Sequence, residues 1–495
     1  MDNIFTTAAK TYTTTENGHT AVNTTGSAVL DFYGQIGGLR DADFERVKEL
    51  FDEAVAEDPL LAIKALFYGR DARGGTGERE LFRKLIRYAA GHYCNYIKPN
   101  LHLIPEYGRW DDVYALVGTP LEDEAAQLIR EQFVKDVVAV RYGKPISLLG
   151  KWLKSCNTSS AESRKLGEWT REMLGLSPRL YRKGVSKLRA TIRVVEQQMS
   201  ANDWSNIAYD KLPSRAGLIY RDAFDRHDPE RYAAYLEAVR NGETKMNAAM
   251  NTPQDIVHAY GNTRTIDETL ELMWKNLPDY VATDENIMVM ADVSGSMYGR
   301  PMEISVGLAM YFAQHNRGAY HNLFMTFESN PSFVALDDNG SLLDNIRITE
   351  EAPWGGSTDL TKACQYMLAF AQEHNAPAED MPRRLIIVSD MEIDEAQGCY
   401  NWMTNRRTRP KLHIDELRQM YEAAGYPMPQ IIYWNVNSRH NHFQTKSDTP
   451  GVMLASGSSP AVFEALIAMK DMEVTPYDAM LAVLNGERYA PIIIG

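Results

Sequence analysis

At 495 residues, with hydrophobic side chains at 44% and charged ones at 24%, the chain is long for a single core and has the make-up of a globular protein of two or more domains. No apolar run reaches the roughly 18 residues that span a bilayer, and the first twenty residues lack the basic-then-apolar order of a secretory signal, so a membrane protein is excluded and a cytoplasmic location is expected. Cys94, Cys156, Cys364 and Cys399 stand far apart and form no CxxC or Cys/His group, which excludes a disulfide framework and a zinc knuckle, and a net charge of −14 works on average against a polyphosphate partner.

Residues 1–28 are rich in Thr, Asn, Gly and Ala without apolar periodicity and are expected to form a flexible Thr-rich arm or a loosely docked extension, with no chemistry assigned to them. Residues 29–280 then run through segments of helical period, among them DADFERVKELFDEAVAEDPLLAIKALFYG, ERELFRKLIRYAAGHYCNYI, DEAAQLIREQFVKDVVAV and PERYAAYLEAVRNG. So many short amphipathic helices predict antiparallel pairs stacked as a HEAT-like α-helical solenoid or ring, although no clean repeat period is present.

Within this half the charge is polarised: residues 141–200 carry thirteen Lys or Arg against four Glu, inside a chain that is acidic overall. Ser177 as N-cap and Pro178 at the first position predict a helix whose apolar face holds Tyr181, Val185, Leu188, Ile192 and Val195. Arg182, Lys183, Lys187, Arg189 and Arg193 fall outside that face, where they could meet successive phosphates. With Lys151, Lys154 and Arg179 they make up the candidate RNA-binding set; a solvated face whose stems shield apolar surface is the competing reading. The Arg73–Arg79 stretch, RGGTGER, lacks the Lys-Ser/Thr of a phosphate loop and reads as a helix-breaking turn, while Trp110 in YGRWDD could stack a base but reads more readily as core.

From residue 281 to 495 the texture changes. Continuous apolar runs, IMVMA (287–291), NLFMTF (322–327), RLIIVS (384–389) and QIIYWNV (430–436), alternate with helical segments, which predicts a doubly wound α/β domain around a parallel sheet. The fold class is therefore α plus α/β. Ligands of such sheets bind beyond the carboxyl ends of the strands. IMVMA runs straight into Asp292, Ser294 and Ser296, RLIIVS ends in Asp390, and Thr358 stands after a glycine pair ahead of another helix. Few carboxylates with several hydroxyls suit a hard cation that keeps some of its water, so Mg²⁺ or Mn²⁺ is the expected cofactor. No HExxH, GxSxG or other hydrolase constellation is present, and the chain is read as a binding protein rather than an enzyme.

The segments DVSGSM, GGSTD and VSDMEI resemble the three parts of the metal-ion-dependent adhesion site (MIDAS) of von Willebrand factor A (vWA) domains. That resemblance implies Asp292, Ser294, Ser296, Thr358 and Asp390 as ligands, with Ser357 as an alternative to Thr358 because one extra serine follows the glycines. A helical module ahead of such a domain is similar to the Ro autoantigen (TROVE) family, as are MNTPQDIVHAY (250–260) and GVMLASGSSPAVFEAL (451–466); RDARGGTGERELFRKL (70–85) and SPRLYRKGVSKLR (177–189) look more like a little-characterised family of the same plan. The resemblance implies a ribonucleoprotein component whose helical ring binds structured small RNA or single-stranded RNA ends. The alternative is an adaptor whose bound metal captures a carboxylate of an acidic protein partner.

Overall fold

The computed structural model describes residues 12–261, 265–327, 331–352, 358–393, 400–401, 406–407 and 413–495. Two short strands, β1 (Tyr12–Thr14) and β2 (Thr20–Val22), pair antiparallel ahead of the first helix, Ala28–Gln35. From there to Lys275 the described residues form only α-helices, 3₁₀ turns and loops. Helix starts follow local capping chemistry. Asp58 accepts from the Leu61 amide at 2.9 Å with Pro59 at the first position, and Ser177 accepts from the Leu180 amide at 3.3 Å with Pro178 behind it. The Pro178–Thr191 helix buries Tyr181, Val185 and Leu188, the face its periodicity predicts.

The second half is built on a six-stranded sheet. Its strands are β3 (Ile287–Asp292), β4 (Leu323–Phe327), β5 (Ser332–Ala335) and β6 (Arg384–Ser389), followed beyond the small β7 (Tyr400–Asn401) and β8 (Arg406–Arg407) ladder by β9 (Gln430–Asn435) and β10 (Val452–Ser456). The order is β10-β9-β6-β3-β4-β5; every neighbouring pair is parallel except β4 with β5. Every residue of β3 and β6 is buried, which is why their sequences run apolar without alternation. Met290 pairs with Ile387 and Ala291 with Val388, so Asp292 and Asp390 leave neighbouring strands at the same edge of the sheet. The mixed α and α/β architecture agrees with the sequence expectation, with β5 and β10 as two additional strands.

Both ends of the helical half rest on the sheet half. Ala28–Gln35 packs against β10 and the Pro476–Leu484 helix, while Pro253–Tyr260 packs against Arg300–His315 and Glu268–Lys275 against Leu342–Glu351. At the first seam the backbones nearly touch: a Cβ on Gly37 would lie 2.5 Å from the Gly457 nitrogen, so only glycine fits there. Arg488 also reaches back to the buried Asp71, with Nη2 2.6 Å from Oδ1. Of the two expectations for this segment, residues 12–27 follow the docked extension: they pack on the sheet half. Val22 exchanges both backbone hydrogen bonds with Phe443, and Thr15, His19, Ala21, Val22 and Thr25 are buried. Among the described residues no helix is long and apolar enough to cross a membrane.

Candidate functional site

The helical half carries a cavity of about 1440 Å³ that is open to solvent on one side. Its wall comes from separate stretches of chain: the turn after the Pro59–Arg70 helix, the segment around Trp110, the short Leu149–Trp152 helix, the end of Pro178–Thr191, and residues 211–220 and 247–250. Eight cationic side chains, Arg73, Arg79, Arg109, Lys151, Arg189, Arg193, Lys211 and Arg215, face two carboxylates, Glu106 and Glu196. Trp110, Trp152 and Tyr220 supply flat apolar surface in the same wall, and Leu148, Ile219 and Met250 are exposed large hydrophobic side chains. In a chain of net charge −14, such a concentration of one sign creates a local positive field for anions.

The cations are engaged unequally. Arg109 lies over the Trp152 ring at 4.0 Å and bonds Asp111 at 3.1 and 3.3 Å; burial pulls its pKa below the usual guanidinium range. Arg189 donates to the Gly150 and Leu153 carbonyls at 3.1 and 2.7 Å, and burial lowers its pKa too. It closes the end of the Leu149–Trp152 helix rather than projecting freely, which corrects the sequence placement of that side chain. Arg215 pairs with Asp255 at 2.5 Å and Arg79 with Glu80 at 2.7 Å. Lys151 is 4.0 Å from Glu196 and 5.4 Å from the Trp152 ring centre. Arg193 and Lys211 make no ion pair among the described residues. Arg193 also holds a left-handed backbone, φ 51°, which costs energy for a non-glycine residue.

Of the candidate RNA-binding residues, Lys151, Arg189 and Arg193 come together in this wall. Lys154 lies 3.9 Å from Asp111 and over the Tyr114 ring, whereas Arg179, Arg182, Lys183 and Lys187 are exposed on the Pro178–Thr191 helix outside the cavity lining. Sequence reasoning missed Arg73, Arg79, Arg109, Lys211 and Arg215. The first three belong to the two segments, RGGTGER and YGRWDD, that it had set aside as a turn and as core.

A second group of polar side chains sits at the ends of β3 and β6. Asp292 is fully buried; Oδ1 accepts from the Ser294 amide at 2.9 Å and Oδ2 from the Ser389 hydroxyl at 2.5 Å. Ser294 and Ser296 share a hydrogen bond of 3.1 Å, and the Ser296 hydroxyl also lies against Asp390. Asp390 Oδ1 accepts from the Glu392 amide at 3.2 Å, while its buried Oδ2 has no hydrogen-bond donor and faces the Arg439 guanidinium at 3.1 Å. Burial and the Asp390 charge push Asp292 up to about 7, and burial raises Asp390 as well, against the pull of Arg439. Thr358 is buried and donates to the Glu392 carbonyl at 2.8 Å; Ser357 lies outside the described residues. The donor set fits a hard cation in kind, with two carboxylates and hydroxyls, yet Arg439 already supplies positive charge to Asp390 and Asp292 already bonds two protein donors. Among the described residues no three His, Cys, Asp or Glu side chains converge as a metal-holding group.

The hairpin of β1 and β2 covers this edge. Asn17 Nδ2 donates to Thr358 Oγ1 at 3.1 Å and to the Glu392 carbonyl at 2.7 Å, Thr15 Oγ1 donates to the Ile393 carbonyl at 2.5 Å, and the Glu16 amide donates to Glu392 Oε2 at 2.8 Å. Arg439 bridges Glu16 at 3.0 Å and Asp390 at 3.1 Å.

Two family models match the chain. Residues 15–142 and 158–284 match DUF2828, a domain of unknown function, and residues 286–484 match DUF7788, another domain of unknown function. An uncharacterized protein, L728, of Acanthamoeba polyphaga mimivirus is 28% identical over an alignment covering 97% of this chain and 88% of the relative. The matching families are not the Ro autoantigen (TROVE) or von Willebrand factor A families, and with the absence of a converging metal-holding group among the described residues this overturns the resemblance read from the sequence. The reason is physical: Asp and Ser recur after the strands of doubly wound sheets, where they cap helices and make turns, so DVSGSM and VSDMEI do not by themselves identify a family.

Proposed function

We propose, for a chain that belongs to the DUF2828 family, that the helical half binds single-stranded RNA in its basic cavity. The observation that carries the reading is the cavity wall itself, with eight cations, two carboxylates and the Trp152 ring on one concave surface of an acidic protein. Cations along a groove meet the backbone phosphates, and an aromatic face takes a base of any sequence. A duplex keeps its base faces stacked inside and offers Trp152 none, which favours the single strand. In this reading the helices form a HEAT-like arc that the α/β half closes, and the chain acts by binding rather than by catalysis.

Trp152 gives the test. With a labelled single-stranded RNA of about 10 nucleotides, Trp152→Ala is expected to weaken binding about 5- to 150-fold, since stacking on an aromatic ring is worth ~1–3 kcal/mol per base. Trp152→Phe is expected to restore most of it. Binding by Trp152→Ala at wild-type strength in fluorescence anisotropy would remove the ring from the site.

A second reading attaches to the strand-end cluster: Mg²⁺ or Mn²⁺ held by Asp292, Ser294, Ser296 and Asp390, with Thr358 beside them, gripping the carboxylate of an acidic protein partner. It is supported by the two buried carboxylates, Asp292 and Asp390, at one edge of the sheet, a repulsion that a cation would relieve.

A further inference from the structure

We infer that Arg488, on the 3₁₀ turn Glu487–Tyr489, is a positioning residue for the basic cavity, acting through Asp71 to set the loop that brings Arg73 to the cavity wall. The inference rests on the reading of that cavity as an RNA site. Asp71 follows the Pro59–Arg70 helix, is fully buried, and has both carboxylate oxygens bonded. Its Oδ1 accepts from Arg488 Nη2 at 2.6 Å and from the Arg73 amide at 3.0 Å. Its Oδ2 accepts from Arg488 Nε and, at 3.1 Å, from the Tyr489 hydroxyl. The carboxylate that Arg488 grips is therefore the one that fixes the backbone of Arg73. The Arg73 side chain is 65% exposed in the cavity wall, 3.9 Å from Glu106.

A second segment of the wall is tied to the same residue. Tyr107 stands between Glu106 and Gly108, both in the cavity lining; its hydroxyl donates to the Arg488 carbonyl at 2.5 Å, and its ring lies 5.4 Å from the guanidinium. The packing around Arg73 leaves little slack. A Cβ on Gly75 would lie 2.0 Å from the Tyr68 carbonyl oxygen, and one on Gly74 would lie 3.0 Å from Arg488 Cδ. The far end of the loop is anchored by the Thr76 and Glu78 amides, bonded to the Tyr68 and Gly69 carbonyls at 3.2 and 2.7 Å. A guanidinium that bonds both oxygens of a carboxylate also fixes its plane, and an ammonium does not.

The experiment uses the full chain and a labelled single-stranded RNA of about 10 nucleotides, with anisotropy titrations of wild type, Arg488→Lys, Arg73→Ala and the double variant. Arg488→Lys keeps a cation beside the buried Asp71, so no buried charge is stranded. It is expected to weaken binding about fivefold, an effect typical of residues that act through one another. It is also expected to lower the slope of log affinity against log salt by about 0.7, the share of one phosphate contact. In the Arg73→Ala background the same change is expected to cost nothing further. Tyr489→Phe removes only the hydroxyl on Asp71 and gives the same test should the lysine variant not fold; its expected loss is about twofold, again only with Arg73 present. A loss equal with and without Arg73 is the mark of a merely structural role and overturns the inference. Wild-type affinity in Arg488→Lys or in Arg73→Ala overturns it as well, and each of these results leaves the cavity reading standing. No binding of RNA by the wild type defeats the cavity reading and this inference with it.

Discussion

Reversing Lys151, Arg193 and Lys211 to Glu is expected to abolish retention of single-stranded RNA at moderate salt while the protein stays folded. These three line the cavity and have the weakest existing commitments: Lys151 has Glu196 only at 4.0 Å, and Arg193 and Lys211 form no ion pair among the described residues. Their replacement therefore leaves no buried charge without a partner, unlike replacement of Arg109 or Arg189. Each phosphate contact on a single strand contributes about 0.7 to the slope of log affinity against log salt, so losing three lowers that slope by about 2, and the added negative charges repel the strand further. The matched control is Arg179, Arg182 and Lys183 to Glu on the outer face of the Pro178–Thr191 helix, which is expected to weaken binding far less. Anisotropy titrations of both triple variants decide between the surfaces. Loss of binding in the outer-face variant alone would move the site out of the cavity.

Asp292→Asn is expected to abolish Mn²⁺ uptake and, in chelator, to make the protein more stable. The sign follows from proton binding. Asp292 titrates at about 7 in the folded chain against 3.8 ordinarily, so the folded state keeps a proton that the unfolded chain gives up. Stability therefore falls as pH rises from about 3.8 toward 7, and the full cost is present above 7. Asparagine removes that cost and keeps the geometry, since its oxygen can accept from the Ser294 amide and its amide can donate to the Ser389 hydroxyl. Thermal melts near pH 8 should show the variant melting higher, by about 1 °C for each kcal/mol relieved in a chain of 495 residues, with the difference closing as pH falls below about 4. A variant that melts lower at pH 8 would show that the buried charge is compensated in the wild type, with Arg439 as the nearest compensating group.

What the sequence disclosed follows the range of the interactions involved. The Pro178–Thr191 helix was legible because its start depends on adjacent residues, Ser177 and Pro178. β3 and β6 were legible as runs buried along their whole length, and β9 as a run buried in all but its last residue. The meeting of Asp292, Ser294, Ser296 and Asp390 was legible because parallel neighbours end at one edge. The cavity was not, because Arg73, Arg109, Lys151, Arg193 and Lys211 are brought together only by tertiary packing and no local pattern links them. Charge clustering along the chain instead drew attention to Arg182, Lys183 and Lys187, which share a helix but not the cavity. The docking of Asn17 on Thr358 spans 341 residues and leaves no local signature, so residues 1–28 read as an arm or a loosely docked extension. The short motifs misled for the opposite reason: each is a local solution to ending a strand, and many unrelated sheets share it.

The most direct test of RNA binding in the basic cavity is the affinity of the wild-type chain for a single-stranded RNA of about 10 nucleotides, measured by anisotropy between about 50 and 200 mM salt. The cavity reading predicts binding at the lower salt that weakens steeply and linearly on the log–log plot, with a slope several times ~0.7, and much weaker binding of a duplex of the same length. No binding at the lower salt, where phosphate contacts are least screened, would contradict it outright, and so would a slope near zero.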